Sequence, residues 1–198
     1  MATEIAALIA SRICHDLISP IGAIDNGMEL MALSSGQEQS SPELDLISQS
    51  VENANARIRF FRIAYGSASS AHLVGRQEVL SILKTISSGG RLTYKWNLTE
   101  DHSREITRIL FLVLQCFETA LPLGGDIYVN FDGTNWEIVG TGRRVTLEPL
   151  LWAAVNNSDV QHAHTSAQVQ FVLLPEAIRA AGRAITITHS ADTIVARF

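Results

Sequence analysis

Residues 11–31, SRICHDLISPIGAIDNGMELM, constrain this chain more than any other stretch, because they set an apolar helical period against a strip of small and polar residues. At about 3.6 residues per turn, Ile13, Leu17, Ile21, Ile24, Met28 and Met31 fall on one stripe, which is expected to pack inward. Ser11, His15, Ser19, Gly22, Asn26 and Glu29 share the other face. His15 is therefore expected to face solvent, with room for another molecule to approach it. Pro20 follows on the same helix, removing its own amide donor and crowding the carbonyl of Asp16, so a bend near the histidine is expected.

The helix around this stretch is expected to run from about Thr3 to Leu33, with a stop at Ser34, Ser35 and Gly36 and a polar turn to Ser41. Ser41, Pro42 and Glu43 make a good helix start: a capping residue, proline at the first helical position and an early acid. Beyond them Leu44, Ile47, Val51, Ala54, Ile58, Phe61 and Tyr65 form a heptad seam. A repeat of about 3.5 implies near-antiparallel, left-handed packing against the first helix. Two helices bury too little alone, so a second copy of the chain is expected to complete a four-helix bundle. By equal rise along an antiparallel hairpin, His15 lies level with about Phe60, which Arg57, Arg59 and Arg62 flank.

Composition bounds the rest. With 198 residues and 46% hydrophobic content, the chain has enough for one large or two small buried cores. A net charge of -5 argues against nucleic acid or an anionic membrane as the main partner. Only Cys14 and Cys116 are present, which suits a reducing cytoplasm and gives no metal-ligand spacing. The N-terminal MATEIAALIA lacks a positive region, contains Glu4 and is followed by Arg12 and His15, so neither a signal peptide nor a membrane span is expected. The small residues 66–71 mark a boundary, dividing the chain into a helical unit, 1–68, and a second unit, 72–198. In the second, helices are expected at 77–87, 101–121, 146–155 and 169–180, the last interrupted by Pro175. Strands are expected at 92–98, 126–131, 136–139, 185–189 and 193–198. The sum is a helical hairpin followed by an α+β layer of helices on a mostly antiparallel or mixed sheet.

The string His15-Asp16-Leu17-Ile18-Ser19-Pro20-Ile21 resembles the H-box of two-component histidine kinases and their phosphotransfer relatives, and its surroundings resemble the ChpT-type histidine phosphotransferases of alphaproteobacteria along the whole chain. The resemblance implies a dimeric four-helix bundle followed by a domain like the ATP-binding domain of histidine kinases. Residues 121–129, LPLGGDIYV, look like the exit of the kinase N-box helix into a strand, and residues 181–185, AGRAI, like the end of a later helix. The nucleotide chemistry is missing. Leu112 and Cys116 stand at the metal-binding asparagine positions and are not hard oxygen ligands for magnesium. Gly140-Thr141-Gly142 resembles the G1 box, but Ile138 replaces the adenine-recognising aspartate. Residues 162–168, HAHTSAQ, replace a glycine-rich phosphate lid. His162 and His164 read as exposed loop residues.

A histidine without an ATP site must take its phosphoryl group from a protein. The resemblance implies just that: transfer from the receiver-domain aspartate of a hybrid kinase to His15, and on to response regulators that govern the cell cycle. No cofactor of its own is expected, the magnesium belonging to the partner receiver. His15 and Asp16 are the candidate catalytic pair, although adjacent helix residues point about 100° apart and contact needs a particular rotamer. Arg12, Ser19, Gly22, Arg59 and Arg62 are the candidate residues for the phosphoryl group or the docked receiver. The plainer alternatives are a solubilising Asp16, a Ser19 that merely keeps the face open, and arginines paired with Glu52 and other helix acids. The competing function is a degenerate kinase dimer that sequesters a receiver without transfer.

Overall fold

The computed structural model describes residues 2–33, 42–67, 71–156 and 165–198. Two long helices come first, α1 (Ala2–Leu33) and α2 (Pro42–Ala64). The expected turn between them lies outside the described residues. The second unit follows as β1 (Leu73–Val74), α3 (Arg76–Ser88), β2 (Leu92–Trp96), β3 (His102–Ser103), α4 (Arg104–Ala120), β4 (Gly125–Phe131) and β5 (Trp136–Gly142). It closes with α5 (Pro149–Asn156), a short 3-10 turn (Ser166–Gln168), α6 (Val169–Ala180), β6 (Thr186–His189) and β7 (Thr193–Arg197). The class is α+β, as the sequence implies, and the sheet is mixed. Its order is β2-β4-β5-β7-β6, with β2 parallel to β4 and every other pair antiparallel. A separate two-stranded pair, β1 with β3, has no expectation to match.

The sheet buries one face. Ile127 and Val129, Trp136, Ile138 and Gly140, and Ile194 and Ala196 alternate inward along β4, β5 and β7, as strand pleating requires. Against them lies α4, apolar on nearly every side: residues Ile109 to Leu114, Cys116 and Phe117 are fully buried. A helix hydrophobic all round must be covered all round. The sheet and α6 cover part of α4, and the end of α2 covers the rest. Phe60 stacks on Phe111 with ring centroids 4.6 Å apart, and Phe60, Phe61, Ile63 and Ala64 belong to the same core as the sheet. Arg104 and Arg108 of α4 add a polar clamp, donating to the α2 carbonyls of Arg62 (2.6 Å) and Ala64 (3.2 Å). Those carbonyls are among the last of the helix, which lack intrahelical donors.

The hairpin departs from the simple stripe. Ile13, Leu17 and Ile24 are half-buried, but Ile21, Met28 and Met31 are exposed, and so are Leu44, Val51 and Ile58 of the expected seam. One hairpin offers each helix only one long neighbour, so an apolar face wider than that contact stays open. Gly27, which is buried, leaves room for Ile47 of the facing helix; a Cβ there would lie 2.6 Å from Ile47 Cγ1. By length and composition Thr3–Met31 could cross a membrane. Its packing along α2 and its Arg12–Asp16 ion pair are those of a helix at a protein surface.

Two further points concern proline and glycine. The last expected helix is not interrupted: α6 runs through Pro175, held by burial of Leu174, Ala177 and Ile178 on its inner side. And glycine stands just before β4, at 124, and at its first position, 125, for a steric reason. Gly124 has φ 83°, and a Cβ on it would lie 2.3 Å from the Arg91 carbonyl oxygen.

Because Phe111 joins both units, Phe111→Ala should lower stability by about 3–5 kcal/mol. Chemical denaturation followed by circular dichroism should show one transition for helix and sheet signals together; two separated transitions would contradict a shared core.

Candidate functional site

His15 stands on the open strip of α1 with 82% of its side chain exposed. Its Nδ1 lies 3.0 Å from Asp16 Oδ1, so the rotamer that contact between neighbours requires is the one present. A carboxylate only accepts, so in the neutral imidazole this contact puts the proton on Nδ1 and leaves the lone pair on Nε2. Asp16 is only 10% exposed, because its second oxygen turns inward to Arg12, whose Nε donates to Oδ2 at 3.0 Å. Arg57 Nη1 approaches the same oxygen at 3.7 Å. Ser19 is exposed on the His15 strip, and a Cβ at Gly22 would meet nothing within 4 Å, so neither side chain size nor packing dictates a glycine there. Cys14 is exposed beside them.

The arginines divide. Arg59 donates to Ser81 Oγ at 3.3 Å and Arg62 to Glu78 Oε1 at 2.8 Å, both on α3 and away from the histidine. Arg57 is the member of the flanking trio that meets the histidine's partner. Hairpin level alone admits all three; azimuth separates them. Arg57 precedes buried Phe60 and Phe61 by three and four residues and so shares their inward side, a periodicity legible in the sequence.

Behind Asp16 is a polar cavity of about 200 Å³, bordered by Arg12, Arg57, Arg91, Tyr94 and Glu118 among others. Arg12 Nη1 donates to the Ala167 carbonyl at 3.2 Å, and its Nη2 is 4.0 Å from Glu118 Oε2. Tyr94 donates to Glu118 Oε1 at 2.7 Å. Burial first, and then the Glu118 charge, hold the Tyr94 phenol well above its ordinary range. Nearby Tyr65 hydrogen-bonds Gln115 at 3.1 Å, and burial pushes its phenol up to about 12. Glu118 and Tyr94 carry no sequence signal that ties them to His15; they arrive by tertiary packing.

The residues that the resemblance sets at a kinase's nucleotide positions lie in the core. Leu112, Cys116 and Ile138 are fully buried. Burial pushes the Cys116 thiol far above its ordinary range, away from the thiolate that binds metals. Gly140-Thr141-Gly142 is not a loop but the end of β5, where a Cβ on Gly140 would lie 2.9 Å from Phe117. Thr165 and Gln168 close the 3-10 turn with a capping box, while His162 and His164 lie outside the described residues. Among the described residues no group of three His, Cys, Asp or Glu side chains could hold a metal ion.

Known proteins agree with this architecture. Residues 76–193 match the histidine phosphotransferase C-terminal domain. The protein phosphotransferase ChpT of Brucella abortus (strain 2308) is 32% identical, over 98% of this chain and 94% of that protein. The 1.7 Å structure of a bacterial phosphotransferase superposes with a TM-score of 0.81 at 28% identity, covering 100% of this chain and 96% of that one. The fold and the histidine-bearing hairpin thus define a protein phosphotransferase. The chain belongs to the ChpT-type histidine phosphotransferases.

Tyr65 yields a stability prediction whose sign can be worked out. Its folded pKa lies above the ordinary 10.0, so its neutral form is favoured by folding. That contribution is complete below pH 10 and is lost as pH rises towards about 12. Urea midpoints should therefore fall across this window in the wild type and fall less in Tyr65→Phe; equal slopes would refute the assignment.

Proposed function

We propose that His15 accepts a phosphoryl group from the receiver-domain aspartate of a hybrid histidine kinase and passes it to the aspartates of response regulators, without ATP. The observation that carries the reading is the His15–Asp16 hydrogen bond on an otherwise open helix face, which leaves Nε2 as an accessible nucleophile. As Nε2 attacks phosphorus, the P–N bond forms and the P–O bond to the donor aspartate breaks, releasing its carboxylate. The ring keeps its Nδ1 proton and gains positive charge, which Asp16 neutralises through the same hydrogen bond. Transfer onward is the reverse, with a second aspartate as nucleophile. Magnesium and the acid chemistry of the receiver belong to the partner.

Independence from ATP is supported by the hydrocarbon and thiol side chains at positions 112, 116 and 138, which cannot ligate magnesium or pair with adenine and are packed in the core. Pairing with a second copy through the hairpin is supported by the exposed Ile18, Ile21 and Met28 of α1 together with Leu44, Val51 and Ile58 of α2. An apolar surface shared by two antiparallel helices is what a four-helix bundle buries. With two cysteines that are both free and an acidic surface, the cytoplasm is the compartment that fits.

A receiver domain carrying radiolabelled phosphate should label the wild-type protein and not His15→Ala, while labelled ATP alone should label neither. Asp16→Asn should slow transfer by about 100-fold, with rapid-quench kinetics as the measure. Label taken from ATP would overturn the phosphorelay reading, and receiver binding without any label would favour sequestration. Sedimentation equilibrium should give a dimer for the wild type and a monomer for Val51→Glu/Ile58→Glu; a monomeric wild type would rule out the bundle.

A further inference from the structure

Asp16 is an awkward orienting group, since it neighbours His15 in sequence and must hold one rotamer to reach Nδ1. Of the two cations near it, Arg12 at 3.0 Å and Arg57 at 3.7 Å, the nearer has a long side chain, and a pair four residues apart on a bare helix is weak and mobile. The structure supplies what the helix alone does not. Arg12 is tied at three points: to Asp16 through Nε, to the Ala167 carbonyl through Nη1, and to Glu118 across 4.0 Å through Nη2. The last two come from the second unit.

Those tethers are themselves fixed. Glu118 sits in the last turn of α4, where Tyr94 of β2 donates to its Oε1 at 2.7 Å and Arg91 donates to its backbone carbonyl at 3.2 Å. The Ala167 carbonyl also accepts from Gln170 Nε2 at 3.0 Å, and Gln170 is 1% exposed. The turn that carries Ala167 stands in the stretch where the resemblance puts a kinase phosphate lid; here its capping box pins it down.

We propose that Glu118 is a positioning residue for His15: held by Tyr94, it fixes Arg12, which fixes Asp16, which sets the imidazole tautomer and direction. The line runs from the sheet through α4 to α1, giving the nucleotide-like unit a task in phosphotransfer that needs neither nucleotide nor contact with the receiver. It rests on the reading of His15 as the phosphoryl carrier. Glu118 is polar and half-exposed, so replacing its charge alone leaves the core intact.

The test compares Glu118→Gln and Tyr94→Phe with the wild type in the full chain, after thermal melts establish that each is folded. Transfer from a phosphorylated receiver at saturation should slow by about tenfold or more, in keeping with a small misplacement of a reacting group, while the half-saturating receiver concentration stays the same. In parallel, nitrogen-15 spectra of the histidine rings, with His15 assigned by its loss in His15→Ala, should show the single Nδ1–H tautomer of the wild type becoming a mixture in both variants. An unchanged tautomer overturns the proposal, and so does a slower transfer that comes only from a higher half-saturating concentration, since that marks a receiver contact. Absence of label on wild-type His15 would instead refute the carrier reading, and the ring spectra would still decide the role of Glu118.

Discussion

Phe60 and Phe61, at the end of α2, enter the core that α4 shares with the sheet, and the stacking of Phe60 on Phe111 holds the helical hairpin against the second unit. Burial of a side chain of this size contributes roughly 1.5–3 kcal/mol. The neighbouring clamp of Arg104 and Arg108 on α2 carbonyls adds direction to a contact that hydrophobic burial leaves non-directional. Once α2 is fixed on α4, α1 packs along α2 and against the 3-10 turn and α6. Only then does Arg12 come within reach of Glu118 and Ala167.

The same packing puts into the core the residues that the resemblance sets at a kinase's nucleotide positions. A nucleotide cleft needs polar space beside the sheet, with hard oxygens for a metal and backbone amides for phosphates. Here Leu112, Cys116, Phe117 and Ile138 occupy the interior, and Gly140 is small because Phe117, Leu121 and Ile194 crowd it. Ile109 to Leu114, Cys116 and Phe117 make α4 apolar on nearly every side, and that is why it can serve as the hub between the hairpin and the sheet. Polar groups survive at its ends, where Glu118 and Gln115 turn toward Arg12 and Tyr65.

Most elements were legible as periods and punctuation. Residues 126–131 and 136–139 alternate, and the Asp132-Gly133 turn joins them as β4 and β5. Pro42 opens α2 where proline belongs. The errors share one cause, which is that local rules were applied to places where burial decides. Pro175 stays inside α6 because the helix is held on its inner side. Met28 and Ile21 are apolar but exposed, because periodicity says which residues share a face and not whether that face has a neighbour. Of the candidate residues, His15 and Asp16 are hydrogen-bonded to one another and Arg12 joins them; Ser19 and Gly22 share the open strip, whereas Arg59 and Arg62 turn to α3.

By itself the sequence determined that the chain opens with a long helix bearing His15 on a polar strip and that a second helix folds back beside it. Those follow from residue type and spacing, which act over a few turns. The tertiary structure alone decided that Glu118 and Ala167 hold Arg12 from 106 and 155 positions away, and which apolar faces remain open. Such contacts depend on how two packed units are rotated against each other. No local pattern encodes that angle, because it is set by the fit of many side chains at once.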